Sequence, residues 1–458
     1  MTLPNVVLVV ADDMGYGDFG IFNDQLSCTP SLDHLVEDSV CLTQHYSASA
    51  VCAPARAGLL TGRYPHRTGA IDTLEGRGLD RLALDEMTIA DVFKSAGYVT
   101  GLVGKWHSGA LSPCYHPNAR GFDEFAGFCG GWQDYYQWRL DYNGTFRPTD
   151  GRYLTDVFAS EAVGFIDRHA QQPFFLHVAF NAPHFPLQAP QAVAQPYLEQ
   201  GLELGVALIY AMIEIMDQGI ERILTALQRH DIMDNTIFIF TSDNGPALGE
   251  WQGLDQNRFN CGFNGSKGTV YEGGIRLPLL IRWLDGLEGG RKFNEMTHFT
   301  DWLPTLCAAC SIDLPEHKLL DGQNILPILR GAGDQVKQQR FWQWNRYTPV
   351  LECNAAMRDS EWKLVRPQIA DAMFVADADL AMDRALKYEP DRYTDIERGP
   401  DPAREIPIPP PAQLFNLQTD PAEAHDLAAQ YPRRVTQMLA DLENWFIEVE
   451  QERLLIIQ

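Results

Sequence analysis

The sequence contains no apolar run near the roughly 20 residues that a membrane-spanning helix requires. Its first residues also lack the charged stretch, followed by an apolar stretch, that marks a secretory signal. We therefore expect a cytoplasmic protein with no membrane partner, or a periplasmic or secreted one if a signal has been removed.

Basic residues are scarce. The 458 residues include 36 Lys and Arg against 61 Asp and Glu, which gives a formal net charge of -25. Nucleic acids and anionic membranes are bound by surfaces with a surplus of Lys and Arg. The composition therefore argues against a nucleic-acid partner, and any anionic ligand has to be held by a local cluster of cations.

The cysteines do not form the pattern of a disulfide framework, because there are nine of them scattered through a long chain. Cys307 and Cys310 have the spacing of a redox or metal motif. They lie, however, in the apolar stretch 302–312, which is typical of a buried helix. We therefore expect these two cysteines to be part of the core.

Short runs rich in Val, Ile and Phe alternate with helical patterns along the first two thirds of the chain. This alternation predicts an α/β fold with a large, mostly parallel sheet flanked by helices. The predicted strands are 6–10, 99–103, 174–180, 236–241 and 279–283, and the predicted helices are 31–40, 87–95, 155–169 and 202–229.

The composition changes near residue 331, and residues 389–411 are crowded with proline and charge, as in a long loop. Around this loop we predict a smaller antiparallel sheet from 341–344, 362–365 and 413–417, with a closing helix over 435–454. The sequence thus predicts a large α/β domain over residues 1–335 and a smaller C-terminal α+β subdomain over residues 336–458.

Polar residues follow four of the predicted strands directly. In open α/β sheets, ligands bind beyond the carboxyl ends of the strands, so these side chains are expected to meet in one cleft. The residues concerned are Asp12 and Asp13, Lys105 and His107, His184, and Asp243 and Asn244.

Four of these residues carry hard oxygen ligands: Asp12, Asp13, Asp243 and Asn244. Such a set suits Ca²⁺ or Mg²⁺ rather than Zn²⁺. Each residue taken alone is equally typical of a turn or a helix cap. Taken together they favour a divalent metal site, because three carboxylates without a cation repel one another.

Cys52 precedes a segment with the features of a first helical turn, including Pro54. A helix N-terminus stabilises an anion in front of it and lowers the pKa of a thiol, and Arg56 lies one turn further on. A lone cysteine is most often a core residue. Here the flanking Pro54, Arg56 and the run 61–63 argue for a functional position.

Residues 262–274 are too rich in glycine for a helix or a central strand and predict an ordered loop that carries Lys267. Together with Arg56 and Lys105, Lys267 supplies a local positive cluster in a chain whose overall charge is negative. We interpret these three cations as ligands for an anionic substrate.

These residues resemble the signature of the type I sulfatase family of the alkaline phosphatase superfamily. The run 52–63 is similar to the sulfatase signature itself, although Ala55 stands where many members have serine. Further segments similar to the family are 12–13, 104–107, 182–184, 242–245, 267–274 and 414–421, so that the resemblance covers nearly the whole chain. It implies an alkaline phosphatase-like fold and the hydrolysis of a carbohydrate or aryl sulfate monoester.

The resemblance also implies a modified nucleophile. A maturation enzyme would oxidise Cys52 to Cα-formylglycine, whose hydrated aldehyde, a gem-diol, attacks sulfur. Asp12, Asp13, Asp243 and Asn244 would hold the divalent cation, commonly Ca²⁺ with Mg²⁺ as the alternative. The oxidised side chain of Cys52 would also touch this metal.

The remaining roles follow from the same resemblance. Arg56, Lys105 and Lys267 would stabilise charge on the sulfuryl oxygens, and His184 with Lys267 would assist the leaving oxygen. His107 would take the proton of the second hydroxyl, so that sulfate is expelled and the aldehyde returns. Whether the two histidines share or exchange these duties stays open.

Two alternatives use the same scaffold: a phosphonate monoester or phosphodiester hydrolase, and a non-catalytic member of the fold. An aromatic set adds a further hypothesis, because these rings either line the entrance and stack on a sugar or aryl group or else pack in the core. The set comprises Trp132, Tyr135, Tyr136, Trp138 and Trp251. The particular ester and the oligomeric state do not follow from the sequence.

Overall fold

The computed structural model describes residues 3–314, 316, 318–333 and 336–456. Two main sheets and a short hairpin account for its strands. In chain order, the strands of the described residues are β1 Asn5–Ala11, β2 Val40–Tyr46, β3 Val99–Lys105, β4 Glu124–Phe128, β5 Arg139–Tyr142, β6 Thr145–Pro148, β7 Phe174–Ala179, β8 Thr236–Ser242, β9 Glu250–Trp251, β10 Leu254–Asp255, β11 Arg276–Arg282, β12 Arg291–Phe293, β13 Thr297–His298, β14 Gln339–Gln343, β15 Ala355–Asp359, β16 Trp362–Arg366 and β17 Gln413–Asn416.

The large sheet has the order β12-β2-β11-β8-β1-β7-β3-β4-β5-β6, with β13 beside β2. Its centre, from β8 to β4, is parallel, and Leu8 of β1 lies between His177 of β7 and Ile239 of β8. The five residues from Val6 to Val10 are buried because helices cover both faces, which explains the unbroken apolar run. The carboxyl ends of these parallel strands meet at one edge.

Helices cover the two faces of this sheet. The core on one face includes residues of α5 and α7, and the core on the other includes residues of α2, α4 and α9. The α-helices of the described residues are α1 Pro30–Asp38, α2 Cys52–Thr61, α3 Pro65–Thr68, α4 Ile89–Ser95, α5 Leu154–His169, α6 Gln191–Glu199, α7 Leu204–Arg229, α8 Glu272–Ile275, α9 Trp302–Ala309, α10 Leu326–Leu329, α11 Asp377–Tyr388 and α12 Pro432–Arg453. Short 3-10 turns lie at Tyr16–Asp18, Gly20–Phe22, Glu75–Arg77, Pro113–Tyr115, Pro117–Ala119, Phe299–Asp301 and Ala370–Ala372.

The small sheet is antiparallel, in the order β14-β15-β16-β17. Helix α12 closes it, because Leu442 and Trp445 pack with Leu364 of β16 and Leu414 of β17 in one apolar cluster. In the described part of the chain, no helix combines the length and the apolarity that crossing a membrane requires.

The predicted fold class is confirmed, and the predicted strands and helices named above are present with shifts of a few residues at their ends. One boundary was wrong: the predicted helix 31–40 ends at Asp38, and Val40 already begins β2, which pairs with β11 and β12. Cys307 and Cys310 are buried in the apolar core, as expected. The domain boundary between residues 335 and 336 stays a prediction.

Candidate active site

The predicted site residues meet at the carboxyl edge of the parallel strands. Asp12 and Asp13 follow β1, Asp243 and Asn244 follow β8, and β3 ends at Lys105 with His107 two residues later. Three further elements reach the same edge: Cys52 and Arg56 on α2, His184 after β7, and Lys267 in the glycine-rich loop before α8. The contacts below show that the structure brings all of them together.

The acidic residues form one buried cluster. Asp12 and Asp243 are fully buried, and Asp13 is 4% exposed. The backbone N–H of Asp13 donates to Asp243 Oδ1 at 3.2 Å, and Asn244 Nδ2 donates to Asp13 Oδ1 at 2.8 Å. Asp13 has a φ of 67°, a strained conformation that an aspartate adopts where the surrounding contacts fix it.

Each acidic side chain forms a close ion pair with a different cation, and Arg56 Nη2 also lies 3.8 Å from Asp12 Oδ1. Lys105 Nζ lies 2.6 Å from Asp12 Oδ2, and Arg56 Nη2 lies 2.7 Å from Asp243 Oδ2. The third pair joins Lys267 Nζ to Asp13, at 2.7 Å from both carboxylate oxygens. Burial disfavours the charged form of Asp13, but the charges of Lys267 and His184 and the hydrogen bonds from Lys267 and Asn244 together outweigh it and hold the pKa of Asp13 below its usual range.

Cys52 is the first residue of α2 and is 2% exposed. Its Sγ lies 3.4 Å from Asp12 Oδ1. Burial raises the pKa of the Cys52 thiol to about 12, although Lys105 and Lys267 act in the opposite direction. The expected lowering of the thiol pKa by the helix N-terminus was therefore wrong, because burial has the larger effect.

The two histidines line the cavity above Cys52. His184 Nε2 lies 3.7 Å from Asp13 Oδ2, and its Nδ1 lies 2.6 Å from the carbonyl oxygen of Phe185. Burial, and then the charge of Lys267, lowers the pKa of His184 to about 4. His107 has a φ of 48°, its buried Nδ1 has no partner among the described residues, and burial and Lys105 lower its pKa well below the usual range.

The acidic cluster fits a divalent cation. Asp12, Asp13, Cys52 and His184 each offer one ligand atom, and these four atoms lie within 4.8 Å of one another. The buried Oδ1 of Asn244 has no hydrogen-bond partner among the described residues, so a carbonyl-type oxygen is available beside the carboxylates. This oxygen-rich donor set is the one that hard divalent cations prefer.

A cavity of about 720 Å³ opens above these residues and is lined by Cys52, His107, His184 and Lys267. Four aromatic side chains at the cavity form a continuous row of ring contacts, which we call the aromatic row. Its ring centroids are separated by 6.0, 5.9 and 5.7 Å, in the order Trp251, Phe185, Trp132 and Tyr388.

Only part of the predicted aromatic set belongs to this cavity. Trp132 and Trp251 line it, and Trp251 is 55% exposed. Tyr135 and Trp138 are buried in the core instead, because Trp138 Nε1 donates to the carbonyl oxygen of Arg152 and Tyr135 Oη donates to that of Asn181. Tyr135 thereby supports the segment that carries His184, whose carbonyl oxygen lies 3.0 Å from the same hydroxyl.

Sequence reasoning missed Arg258, which holds the loop after β1. Its guanidinium bonds both carboxylate oxygens of Asp18, at 2.6 and 2.9 Å. It also donates to the carbonyl oxygens of Asp13 and Ala247. Arg258 lies in a loop with no strand end or motif beside it, so no signal in the sequence marked it.

This geometry is typical of an α/β enzyme that hydrolyses an anionic ester, because it combines a buried acidic cluster that fits a divalent cation, cations paired with that cluster, and a buried cysteine at a helix N-terminus that lines the cavity. Comparison with known families refines it. The family model "Sulfatase" matches residues 4–312, and the model "N-sulphoglucosamine sulphohydrolase, C-terminal" matches residues 263–384. The chain belongs to the sulfatase family and is a sulfuric ester hydrolase.

Individual relatives agree with this assignment. The chain is 30% identical to mouse (Mus musculus) steryl-sulfatase over 447 residues, covering 78% of this chain and 69% of that protein. It is 34% identical to human (Homo sapiens) N-acetylgalactosamine-6-sulfatase over 356 residues, covering 71% of this chain and 66% of that protein. The solved structure of Ps i-CgsB in complex with k-i-k-neocarrahexaose has a TM-score of 0.80 and 29% identity, covering 97% and 93% of the two chains.

Proposed function

We propose that this sulfatase hydrolyses a saccharide sulfate monoester at Cys52, after a maturation enzyme has converted Cys52 to formylglycine. The observation that carries the proposal is the position of Cys52. It begins α2, lines the cavity, and lies next to Asp12 and between the charges of Lys105 and Lys267. Once formed, the formylglycine supplies a hydrated aldehyde whose hydroxyl attacks sulfur.

Asp12, Asp13, Asp243 and Asn244 would hold the divalent cation, which we propose to be Ca²⁺. The cation would polarise the sulfuryl oxygens and lower the pKa of the attacking hydroxyl. Asp12, Asp13 and Asp243 are matched by Lys105, Lys267 and Arg56, so these six charges sum to zero. A divalent cation would give the site a net positive charge, which suits a monoanionic ester.

The chain's own residues would then bind the ester and move its protons. Arg56, Lys105 and Lys267 would bind the sulfuryl oxygens and stabilise the charge that develops on them. His184 and Lys267 both contact Asp13 and so lie close together, which supports a shared role for them at the leaving oxygen. His107, whose buried Nδ1 has no hydrogen-bond partner in the described part of the chain, would accept a proton from the hydrated side chain.

The aromatic row supports a saccharide rather than a small aryl ester. The four rings meet at interplanar angles between 56° and 75° and form a continuous apolar wall, in which Trp251 and Tyr388 are each more than half exposed and can pack against a sugar ring. The names of two similar proteins agree with this choice: human N-acetylgalactosamine-6-sulfatase, and Ps i-CgsB in complex with k-i-k-neocarrahexaose. Mouse steryl-sulfatase represents the competing choice, an apolar alcohol.

Two measurements test the proposal. Peptide mass spectrometry across Cys52, on protein from its own host, should detect the aldehyde or its hydrate. Sulfate release should be found with sulfated saccharides, should exceed release from a steryl sulfate, and should disappear in Cys52→Ala with an unchanged melting temperature. An intact thiol in active protein would contradict the modified nucleophile. Faster turnover of a phosphonate monoester than of every sulfate would favour the phosphonate hydrolase instead.

A further inference from the structure

The C-terminal part of the chain builds one wall of the catalytic cavity. Helix α11 contributes Arg384 and Tyr388 to the lining, and Arg346 comes from the segment after β14. Several bonds fix this wall in place. Tyr347 Oη donates to Asp379 Oδ2 at 2.7 Å, and the backbone N–H of Gly76 donates to Asp383 Oδ1 at 2.9 Å.

Arg346 is anchored by hydrogen bonds at one end of its guanidinium, which also packs 5.0 Å from the ring centroid of Trp344. Its Nη1 donates to Asp72 Oδ1 at 2.9 Å and to Thr73 Oγ1 at 2.8 Å. Its Nε and Nη2 make no hydrogen bond to the described residues, and the side chain is 25% exposed. The arginine is therefore held in position while part of its donor fork stays available to a ligand.

The guanidinium of Arg384 has more of its N–H donors available to a ligand than that of Arg346. It is exposed on α11, and its guanidinium packs 5.5 Å from the ring centroid of Tyr388. It forms no ion pair and no hydrogen bond with any residue that the structure describes, in a chain with 25 more acidic than basic residues. Tyr388 is the last ring of the aromatic row. Arg384 therefore lies at the end of the row, next to the position of a sugar that packs on Tyr388.

The two arginines belong to the same wall. Tyr347, the neighbour of Arg346, bonds Asp379, which precedes Arg384 by five residues, or about 7.5 Å along the helix axis. Asp72 already pairs with Arg346, whereas two other nearby acids, Glu75 and Asp383, do not neutralise either arginine. Glu75 is paired with Lys387, and burial and the charge of Glu75 raise the pKa of Asp383 to about 8, so that it is largely protonated at neutral pH.

We propose that Arg346 and Arg384 bind a second anionic group of the substrate, a sulfate or carboxylate on the same or the adjoining sugar. Guanidinium groups bind both anions through paired N–H donors. The enzyme would thus select saccharides that carry a second negative charge besides the ester it cleaves. This inference rests on the proposed function and specifies its substrate class.

The test compares three substrates: galactosamine 6-sulfate, galactosamine 4,6-disulfate, and a disaccharide in which the 6-sulfated sugar adjoins a uronic acid. The wild type should show a higher kcat/KM on at least one of the two doubly charged substrates than on galactosamine 6-sulfate. Which of the two is preferred shows whether the second anionic group is a sulfate or a carboxylate. In Arg384→Gln and in Arg346→Gln, that preference should fall about 10- to 100-fold. Arg433→Gln, at an exposed position on α12, should leave the preference unchanged.

A binding measurement provides a second readout that does not depend on turnover. In a Cys52→Ala background, calorimetry should give a lower Kd for the doubly charged saccharide than for the monosulfate, and added Arg384→Gln should remove most of that difference. Equal preference in the wild type and both arginine variants would overturn this inference alone. Failure of the wild type to release sulfate from any saccharide would instead overturn the proposed function.

Discussion

Lys105 and Asp12 form an ion pair of 2.6 Å in which neither side chain is exposed to solvent. Lys105 ends β3 and Asp12 follows β1, so the pair joins two strands that are separated by β7 in the sheet. Asp12 also lies 3.4 Å from Cys52 Sγ. The pair therefore links Cys52, the acidic cluster and the sheet itself.

Replacing Lys105 by methionine should destabilise the protein, because burial and the charge of Asp243 already raise the pKa of Asp12, and without Lys105 its carboxyl must either hold an unpaired buried charge or take up a proton and lose its ion pair. We expect Lys105→Met to lower the free energy of unfolding by about 3 kcal/mol, measured by urea denaturation in a chelating buffer. The control is Lys94→Met, whose pair with Asp123 is 47% and 35% exposed and should cost less than about 1 kcal/mol. Equal decreases in the free energy of unfolding in Lys105→Met and Lys94→Met would show that the buried pair contributes no more to stability than the exposed one.

Arg258 should matter for metal binding although it is not a proposed ligand. Its bonds to Asp18 and to the carbonyl oxygen of Asp13 hold the loop that presents the acidic side chains. We expect Ca²⁺ to raise the melting temperature of the wild type, and Arg258→Gln to weaken the apparent Ca²⁺ affinity about 10- to 100-fold. Arg222→Gln breaks an exposed pair with Asp156 and should leave that affinity unchanged, whereas an equal change in both variants would argue against positioning.

The site residues at the strand ends could be predicted from the sequence for a physical reason. Asp12, Lys105 and Asp243 come at or directly after strands that the apolar pattern identifies, and the carboxyl ends of parallel strands meet at one edge. The topology thus places residues together that are far apart in the chain. The same argument located His184 and, through its helix, Cys52.

The cavity wall could not be found in this way. Helix α11 is amphipathic, with Asp379, Met382 and Ala385 buried on one face, so the sequence carried a signal for the helix but none for the cavity that it lines. Strand β15 is also short, and its sequence includes both Arg358 and Asp359. The position of α11 at the cavity is fixed by polar contacts such as that between Tyr347 and Asp379, and the sequence does not reveal such contacts.

Trp251 and Trp138 should respond in opposite ways to replacement by alanine. Trp251 is 55% exposed at the cavity, whereas Trp138 is 3% exposed in the core. We expect Trp251→Ala to raise KM for saccharide sulfates about 2- to 10-fold with little change in melting temperature. Trp138→Ala should cost about 3 to 5 kcal/mol in unfolding free energy. Unchanged saccharide kinetics in Trp251→Ala would remove the aromatic row from the substrate site.

Helix α11 also carries part of a buried acidic cluster. Asp383 lies near Glu75 and Asp80, and Lys387 is the cation that faces them. Burial, and then the charge of Glu75, raises the pKa of Asp383 to about 8. Burial and Glu75 likewise raise the pKa of Asp80 to about 7.

This cluster makes stability depend on pH. Between its ordinary pKa near 4 and its raised pKa near 8, Asp383 keeps its proton in the folded protein and loses it in the unfolded chain. The folded state therefore binds more protons, and the free energy of unfolding falls as the pH rises through this window. The asparagine of Asp383→Asn cannot ionise. Between pH 6 and pH 8 the free energy of unfolding should therefore fall by about 1 to 2 kcal/mol more in the wild type than in the variant. Urea denaturation at both pH values measures this difference, and parallel pH profiles of the two proteins would show that Asp383 is ionised in the folded state.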